Sequence, residues 1–303
     1  MNRKEKFEAV EAIDRMMSES YADGIGVNDA ASDSLPRRAE VIAVTDKLME
    51  LIFPGFERAG TYPAAKVLIG DILRELSDQI SRAMRRDKGD ACDCCEDDCQ
   101  SKCDQLALDL LRAVPDIREK MKSDVEAAYN GDPAAKNYDE IILSYPGLKA
   151  ITIQRLAHQL YASGVPLIPR MMTEYAHSVT GIDIHPGATL GKGVFIDHGT
   201  GVVVGETAII GDNVRIYQGV TLGAGNFPKN ACGMLIKGLR RHPTIGNNVT
   251  IYSGASVLGD VTIGDNSVIG GNVWLTESLP AGTKITALPP ENRKKFISDK
   301  IVK

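Results

Sequence analysis

The chain has 303 residues, 43% hydrophobic and 25% charged, with a formal net charge of −5, the balance of a globular protein with room for two domains. That charge gives no general attraction to nucleic acid or to an anionic membrane. No stretch approaches the roughly 18 apolar residues that span a bilayer, and no apolar run follows Met1-Asn2-Arg3-Lys4-Glu5-Lys6, so a cytoplasmic protein is expected.

Residues 1–180 read as a helical domain. Over 62–86, Ile69, Ile72, Leu73, Leu76, Ile80 and Met84 recur at three- and four-residue steps, with Arg74, Glu75, Asp78 and Arg82 on the opposite side, which is the pattern of an amphipathic helix. Weaker versions cover 3–21 and 36–53, where Pro36 suits a first turn. Asp23 to Pro36, rich in Gly, Asn, Asp and Ser, reads as a connector. Further helices are predicted over 106–129, 147–163 and 166–180. The turn residues Asn130-Gly131-Asp132-Pro133 break the first of these, and Gly164 and Pro166 separate the other two. His158 and His177 fall in the last two, as packing or capping residues.

Five of the six cysteines, Cys92, Cys94, Cys95, Cys99 and Cys103, crowd into twelve residues, and Cys232 stands alone. Without a secretion signal a disulfide framework is not expected. On a helix, Cys92, Cys95, Cys99 and Cys103 share one face. That face is either an apolar or redox-sensitive surface or a set of thiolates for Zn or an iron–sulfur cluster, although structural Zn sites usually draw on two separated pairs.

From Ile184 the period changes to six. Ile184, Leu190, Ile196, Val202, Ala208, Val214 and Val220 are aliphatic, and so, after a break, are Ile245, Ile251, Val257, Ile263, Ile269 and Leu275. Period six is the signature of a parallel β-helix, whose coils bury their apolar positions only as a stack. The prism is expected over 181–288, with the chain leaving it after Leu275 and a short basic tail over 289–303. Gly223 to Asn230 lacks the inward aliphatics, and residues 224–243 read as an extruded loop, basic through Lys229, Lys237, Arg240, Arg241 and His242 and suited to an anionic substrate.

Three of the five histidines lie in this region, each beside a charged or rigid partner: Asp183-Ile184-His185-Pro186, Asp197-His198-Gly199-Thr200-Gly201 and Arg240-Arg241-His242-Pro243. Packing in a prism of small and aliphatic residues needs no imidazole. A neutral histidine oriented by a carboxylate is a usual general base at pH 7. His198 is the leading candidate, because Gly199 and Gly201 let another molecule approach it; Asp183 and Asp197 are candidates to orient it.

With Gly131-Asp132-Pro133-Ala134, Ile196-Asp197-His198-Gly199-Thr200-Gly201-Val202-Val203-Val204-Gly205-Glu206-Thr207, Val220-Thr221-Leu222-Gly223 and Arg241-His242-Pro243, these segments resemble the serine acetyltransferase family over about half of the chain, 132–288. The resemblance implies a left-handed parallel β-helix behind a helical N-terminal domain, an α+β multidomain architecture, and transfer of the acetyl group of acetyl-CoA to the hydroxyl of L-serine, the step that commits serine to cysteine biosynthesis. It implies His198 as base with Asp183 as its carboxylate partner, Asp132 and Asp197 on the serine ammonium, Arg241 on its carboxylate, and His242 positioning serine with Glu206 fixing His242. Acetyl-CoA would lie along Gly223, Ala224, Ser253, Gly254 and Gly271, and no metal is required. Active sites would form between neighbouring subunits of a homotrimer or a dimer of trimers. Cysteine would compete for the serine site. Many family members end in an isoleucine that enters cysteine synthase; this sequence ends Asp299-Lys300-Ile301-Val302-Lys303, which argues against such a complex. A hexapeptide acetyltransferase for another small hydroxyl or amine acceptor is the alternative, without need of an amino-acid clamp. A zinc enzyme of the γ-carbonic anhydrase type needs three converging histidines, and His185, His198 and His242 are not so spaced. A non-enzymatic assembly module would use the prism only as a platform.

Overall fold

Each helix of the chain starts or stops where a particular residue allows it. The computed structural model describes residues 1–22, 35–56, 65–88 and 96–288, in two units, Met1–Leu35 and Pro36–Lys303. In the first, Asn2 and Glu5 form a reciprocal capping box at the start of α1 (Arg3–Tyr21), none of whose residues is buried.

In the second unit, α2 (Arg38–Ile52), α3 (Ala65–Lys88), α4 (Glu96–Gly131), α5 (Tyr138–Ser144), α6 (Pro146–Ala162) and α7 (Ile168–Thr180) precede the strands. The buried stripe of α3 runs through Leu68, Ile72, Leu76, Ile80 and Ala83 and shares a core with Cys103, Ala107, Leu110, Val114 and Met121 of α4. The predicted Ile69 lies outside it, 40% exposed. A helix that Ala134-Ala135-Lys136 could open after the Asp132-Pro133 turn begins slightly later, as α5, whose N-terminus is capped by the Asn137 side chain accepting from the Glu140 N–H. Gly181, in the left-handed region at φ +72°, ends α7 and turns the chain into the prism. Cys99 is disulfide-bonded, where the sequence led to no expectation of a disulfide. Cys103 and Cys232 are free, while Cys92, Cys94 and Cys95 lie outside the described residues. Among those residues no helix is long and apolar enough to cross a membrane.

The strands β1 (Asp183–Ile184), β2 (Thr189–Leu190), β3 (Phe195–Ile196), β4 (Val203–Val204), β5 (Ile209–Ile210), β6 (Arg215–Ile216), β7 (Thr221–Gly223), β8 (Thr244–Ile245), β9 (Thr250–Ile251), β10 (Ser256–Leu258), β11 (Thr262–Ile263), β12 (Val268–Ile269), β13 (Trp274–Leu275) and β14 (Lys284–Ile285) are all short. They stack in parallel into three faces. The first is β1-β4-β7-β10-β13, the second β2-β5-β8-β11, and the third β3-β6-β9-β12-β14.

The register corrects the six-residue frame in two places. Ile184 pairs with Val204, Leu190 with Ile210 and Ile196 with Ile216, a first coil of 20 residues where Val204↔Leu222 and Ile251↔Ile269 give coils of 18. Two extra residues therefore sit in the Asp197–Gly201 turn. Val202, Ala208, Val214 and Val220 are still buried, but as the inner residue two positions before the paired Val204, Ile210, Ile216 and Leu222. Leu222 pairs with Val257, a step of 35, so the extruded loop adds 17 residues to one coil. The prism also continues past Leu275: Ile285 of β14 pairs with Ile269, because Leu279 and Ile285 still supply apolar contacts to the core.

An open first coil would expose unpaired strand groups. Helices α4 and α6 cover them. Gln154 donates to the Ala188 carbonyl at 2.7 Å, His158 Nδ1 meets the Pro186 carbonyl at 2.8 Å, and Arg155 donates to the Leu190 and Gly191 carbonyls. Asp124 accepts from the Val194 N–H at 2.8 Å and from Arg155 at 2.9 Å, with both side chains almost fully buried. The prism is thus fixed to the helices at the coil that carries His198.

Candidate active site

The turn between β3 and β4 forms a corner of the prism between its third and first faces. The two extra residues push it outward, and His198 adopts φ +57°, a left-handed conformation uncommon for any residue with a Cβ. Gly199 follows at φ +81°, where a Cβ would meet Ile182 Cδ1 at 2.4 Å. The His198 side chain is 73% exposed, and its Nε2 lies 3.9 Å from Asp197 Oδ1. Asp132, where α4 has just ended, reaches the same corner. Its carboxylate accepts from the Tyr145 hydroxyl at 2.5 Å and from the Ala134 N–H at 2.8 Å. These two bonds, with His198 nearby, hold the Asp132 carboxyl below its ordinary range. Burial, then the bond to Asp132 and the charges of Asp132, Glu140 and Asp197, push the Tyr145 phenol up. An exposed imidazole beside two carboxylates is suited to taking a proton from a cationic substrate.

A second group forms at the corner between the first and second faces, where Glu206 follows β4 and the extruded loop rejoins the prism at Arg241 and His242. Arg241 donates to Glu206 Oε2 at 2.5 Å, and Tyr161 of α6 donates to Glu206 Oε1 at 2.8 Å. Burial would raise the Glu206 pKa; the bonds from Arg241 and Tyr161 outweigh it and the carboxyl is held low. His242 is only 6% exposed. The Thr207 N–H donates to its Nδ1 at 3.1 Å, so in the neutral ring the proton sits on Nε2. Burial first, then the Arg241 charge, lowers its pKa to about 4. Thr207, not Glu206, makes the hydrogen bond that orients this ring. Gly205 lets it lie flat against the chain: a Cβ there would be 2.1 Å from His242 Nε2. His185 is at the same corner, edge-on to the Tyr161 ring at 5.6 Å, its pKa lowered by burial and by Arg170.

Within one chain the two groups stay apart. From Gly201 to Gly205 the chain crosses the first face, about 13 Å at roughly 3.3 Å per residue. Asp183 stands on that face with its carboxylate beside Glu174 and His177, their ligand atoms within 4.8 Å of one another; among the described residues no hydrogen bond joins it to His198. Arg170 ion-pairs with Glu174, which works against a metal cation there. The proposed coenzyme residues divide in the same way. Ser253, Gly254 and Gly271 stack below the His198 turn, the Gly254 N–H bonding the Gln218 carbonyl and the Asn272 N–H the Ser253 carbonyl. Gly223 and Ala224 lie where the loop departs from the other corner. The loop itself is partly ordered by a bridge between Lys229 and Leu235 and by Arg240 on Asp260 at 2.6 Å. It roofs a cavity of about 520 Å³ lined in part by Glu206, Phe227, Leu235, Ile236, Leu239 and Arg241. Tyr145, Tyr161, Thr207 and Gly205 were not singled out from sequence; only the Gly205-Glu206-Thr207 run, lying in a matched motif, offered a signal.

Comparison with known proteins matches residues 94–153 to the family described as serine acetyltransferase, N-terminal, and residues 242–277 to bacterial transferase hexapeptide (six repeats). The chain is 58% identical over 182 residues to the "Serine acetyltransferase, plasmid" of Synechococcus elongatus, covering 60% of this chain and 57% of that one, so it spans less than two thirds of that relative. It is 46% identical over 169 residues to a serine acetyltransferase of Mycobacterium tuberculosis, covering 56% of this chain and 70% of the relative. The crystal structure of Entamoeba histolytica serine acetyltransferase 1 in complex with L-cysteine superposes with a TM-score of 0.70 at 37% identity, covering 80% of this chain and 85% of that one. A hexapeptide prism fixed to this helical domain, with matches of this extent in both parts, makes the chain a member of the serine acetyltransferase family.

Proposed function

We propose that the protein transfers the acetyl group of acetyl-CoA to the hydroxyl of L-serine, giving O-acetyl-L-serine and CoA, and that each active site joins the His198 corner of one copy to the Arg241 corner of a neighbour. The observation that carries this reading is the division of the chemistry between two corners. One bears the exposed imidazole with carboxylates, the other a cation and a neutral N–H donor, and neither is sufficient for an amino-acid substrate. Joined across a seam, Asp132 and Asp197 hold the serine ammonium. Arg241 grips the carboxylate through N–H donors not engaged by Glu206 and Leu239. His198 takes the hydroxyl proton as the serine oxygen attacks the thioester carbonyl. The tetrahedral intermediate then collapses, the C–S bond breaks, and CoA leaves as a thiolate that receives the proton from His198. His242, kept neutral with its proton on Nε2, serves as a donor near the reacting oxygen rather than as a base. Asp183, on the first face, is the carboxylate assigned to stabilise the His198 imidazolium.

The Entamoeba relative is described with L-cysteine bound. Cysteine differs from serine only in sulfur for oxygen, so a site built on ammonium and carboxylate contacts accepts both, and cysteine inhibits by competing with serine. CoA release with L-serine, compared with D-serine, ethanolamine and a hexose, tests the reading. Turnover is expected with L-serine alone. Comparable rates with ethanolamine, which lacks the carboxylate, would overturn the clamp and favour another acceptor.

A further inference from the structure

Tyr161 belongs to none of the motifs that mark the family in this sequence, yet it sits at the centre of the Arg241 corner. It comes from the last turn of α6, the helix that caps the first coil through Gln154, Arg155 and His158. Its ring packs so closely over the prism that a Cβ on Gly187 would stand 3.0 Å from Tyr161 Cε1, and the His185 ring meets it edge-on. Its hydroxyl reaches Glu206 Oε1 at 2.8 Å, while Arg241 takes the other oxygen, Oε2, at 2.5 Å. The two oxygens of one carboxylate thus serve two different elements. Arg241 in turn is fixed by its own N–H on Thr207 Oγ1 at 3.0 Å and by its guanidinium on the Leu239 carbonyl at 3.2 Å.

We propose that Tyr161 is a positioning residue for the acceptor site: its hydroxyl holds one oxygen of Glu206, so that Glu206 engages Arg241 through a single oxygen and ties the returning end of the 224–243 loop to α6. The physical reason lies in the fork geometry of guanidinium and carboxylate. Without the phenol, Glu206 is released to rotate and grip Arg241 with both oxygens, the pairing that such groups favour. That pairing consumes N–H donors that an incoming substrate carboxylate needs. Tyr161 therefore acts through Glu206 and Arg241, without touching substrate. The proposal rests on the reading of Arg241 as the clamp for the serine carboxylate.

The test uses the full chain with Tyr161→Phe, Glu206→Gln and the double variant. Tyr161→Phe keeps the ring, so the packing on Gly187 and His185 is retained and the melting temperature should stay near wild type. The expected result is a serine KM raised about five- to tenfold, the scale of one lost hydrogen bond, with kcat and the acetyl-CoA KM within about twofold. The double variant should match Glu206→Gln alone, because the effect passes through that carboxylate. An unchanged serine KM, or an effect that adds to that of Glu206→Gln, overturns the proposal. Hydrogen exchange at amides 238–242, measured without ligands, should quicken in Tyr161→Phe; unaltered exchange overturns the tether. Absence of turnover with serine in the wild type would instead overturn the functional reading, while the exchange measurement would still decide whether Tyr161 holds the loop.

Discussion

Replacing Gly205 with alanine tests whether the His242 ring must lie where it does. A Cβ at this position would stand 2.1 Å from both Cδ2 and Nε2 of His242, and ordinary contact needs about 3.5 Å, so the ring must retreat by about 1.4 Å. It is held between the chain and Thr207, with the Thr207 N–H 3.1 Å from Nδ1, and a shift of that size breaks this bond. Leaving a buried polar group unpaired costs about 1–3 kcal/mol, which at roughly 2–4 °C per kcal/mol for a domain of this size lowers Tm by about 2–12 °C. Misplacement of a reacting group by about 1 Å costs up to about 10²-fold in rate, so kcat/KM for serine should fall by about 10- to 100-fold. The assay is CoA release with serine varied, alongside thermal unfolding. Gly70→Ala is the control: it lies in α3, and a Cβ there meets nothing within 4 Å. If Gly205→Ala keeps both wild-type kcat/KM and the Tm of the control, the close packing of His242 has no bearing on the reaction.

His198→Ala should lower kcat by about 10²–10⁴-fold, the contribution of a positioned general base, while acetyl-CoA binding followed by calorimetry stays near wild type; activity within a few-fold removes His198 as the base. Arg241→Ala should raise the serine KM, and an unaltered value removes it from carboxylate recognition. Arg155→Met strands the Asp124 carboxylate, 1% exposed, and breaking such a buried pair costs about 3–5 kcal/mol; denaturant unfolding with an unchanged midpoint would show that the pair does not secure the prism to the helices. His242, its pKa lowered from 6.5 to about 4 chiefly by burial, binds fewer protons folded than unfolded between those values. Its contribution to stability is therefore complete above about pH 6.5 and is lost as pH falls towards 4. Unfolding at pH 7 and pH 5 should show a smaller loss in His242→Gln than in the wild type, and equal losses would refute the assignment.

The hexapeptide prism was legible because its aliphatics recur over many coils, and the extruded loop because their six-residue spacing is interrupted between Val220 and Ile245. The register of the first coil was not. Each turn of the prism buries two residues on every face, as with Val202 and Val204 or Val214 and Ile216, both of them aliphatic. A slip of two residues exchanges one buried position for the other and leaves the hydrophobic pattern intact. Pairing alone, Ile184 with Val204 rather than Val202, reveals it. The polar groups were legible where they lie close together along the chain. Asp197 and His198 are neighbours and could be read together, whereas Tyr145 on Asp132 and Tyr161 on Glu206 depend on where α6 is seated, which no local pattern encodes.

That hidden slip bears on function. At the equivalent corners of later coils, Gly219 and Gly254 turn the chain with φ +71° each, a conformation that glycine adopts without steric cost. The longer Asp197–Gly201 turn keeps a glycine at that position, Gly201 at φ +78°, and places a histidine in the left-handed region ahead of it, at a cost of order 1–3 kcal/mol. Its neighbours hold it there: the Gly199 N–H bonds the Asp197 carbonyl at 2.6 Å, the Val202 N–H the Gly199 carbonyl at 2.9 Å and the Gly201 N–H the Gly181 carbonyl at 2.8 Å. Gly147 of α6 abuts the same strand so closely that a Cβ would be 2.2 Å from the Ile196 carbonyl oxygen. The coil bound most firmly to the helices is therefore the one that carries the strained turn. A rigid support under an exposed imidazole keeps its orientation fixed relative to the rest of the chain, which is what a base needs if its substrate is held partly by another copy.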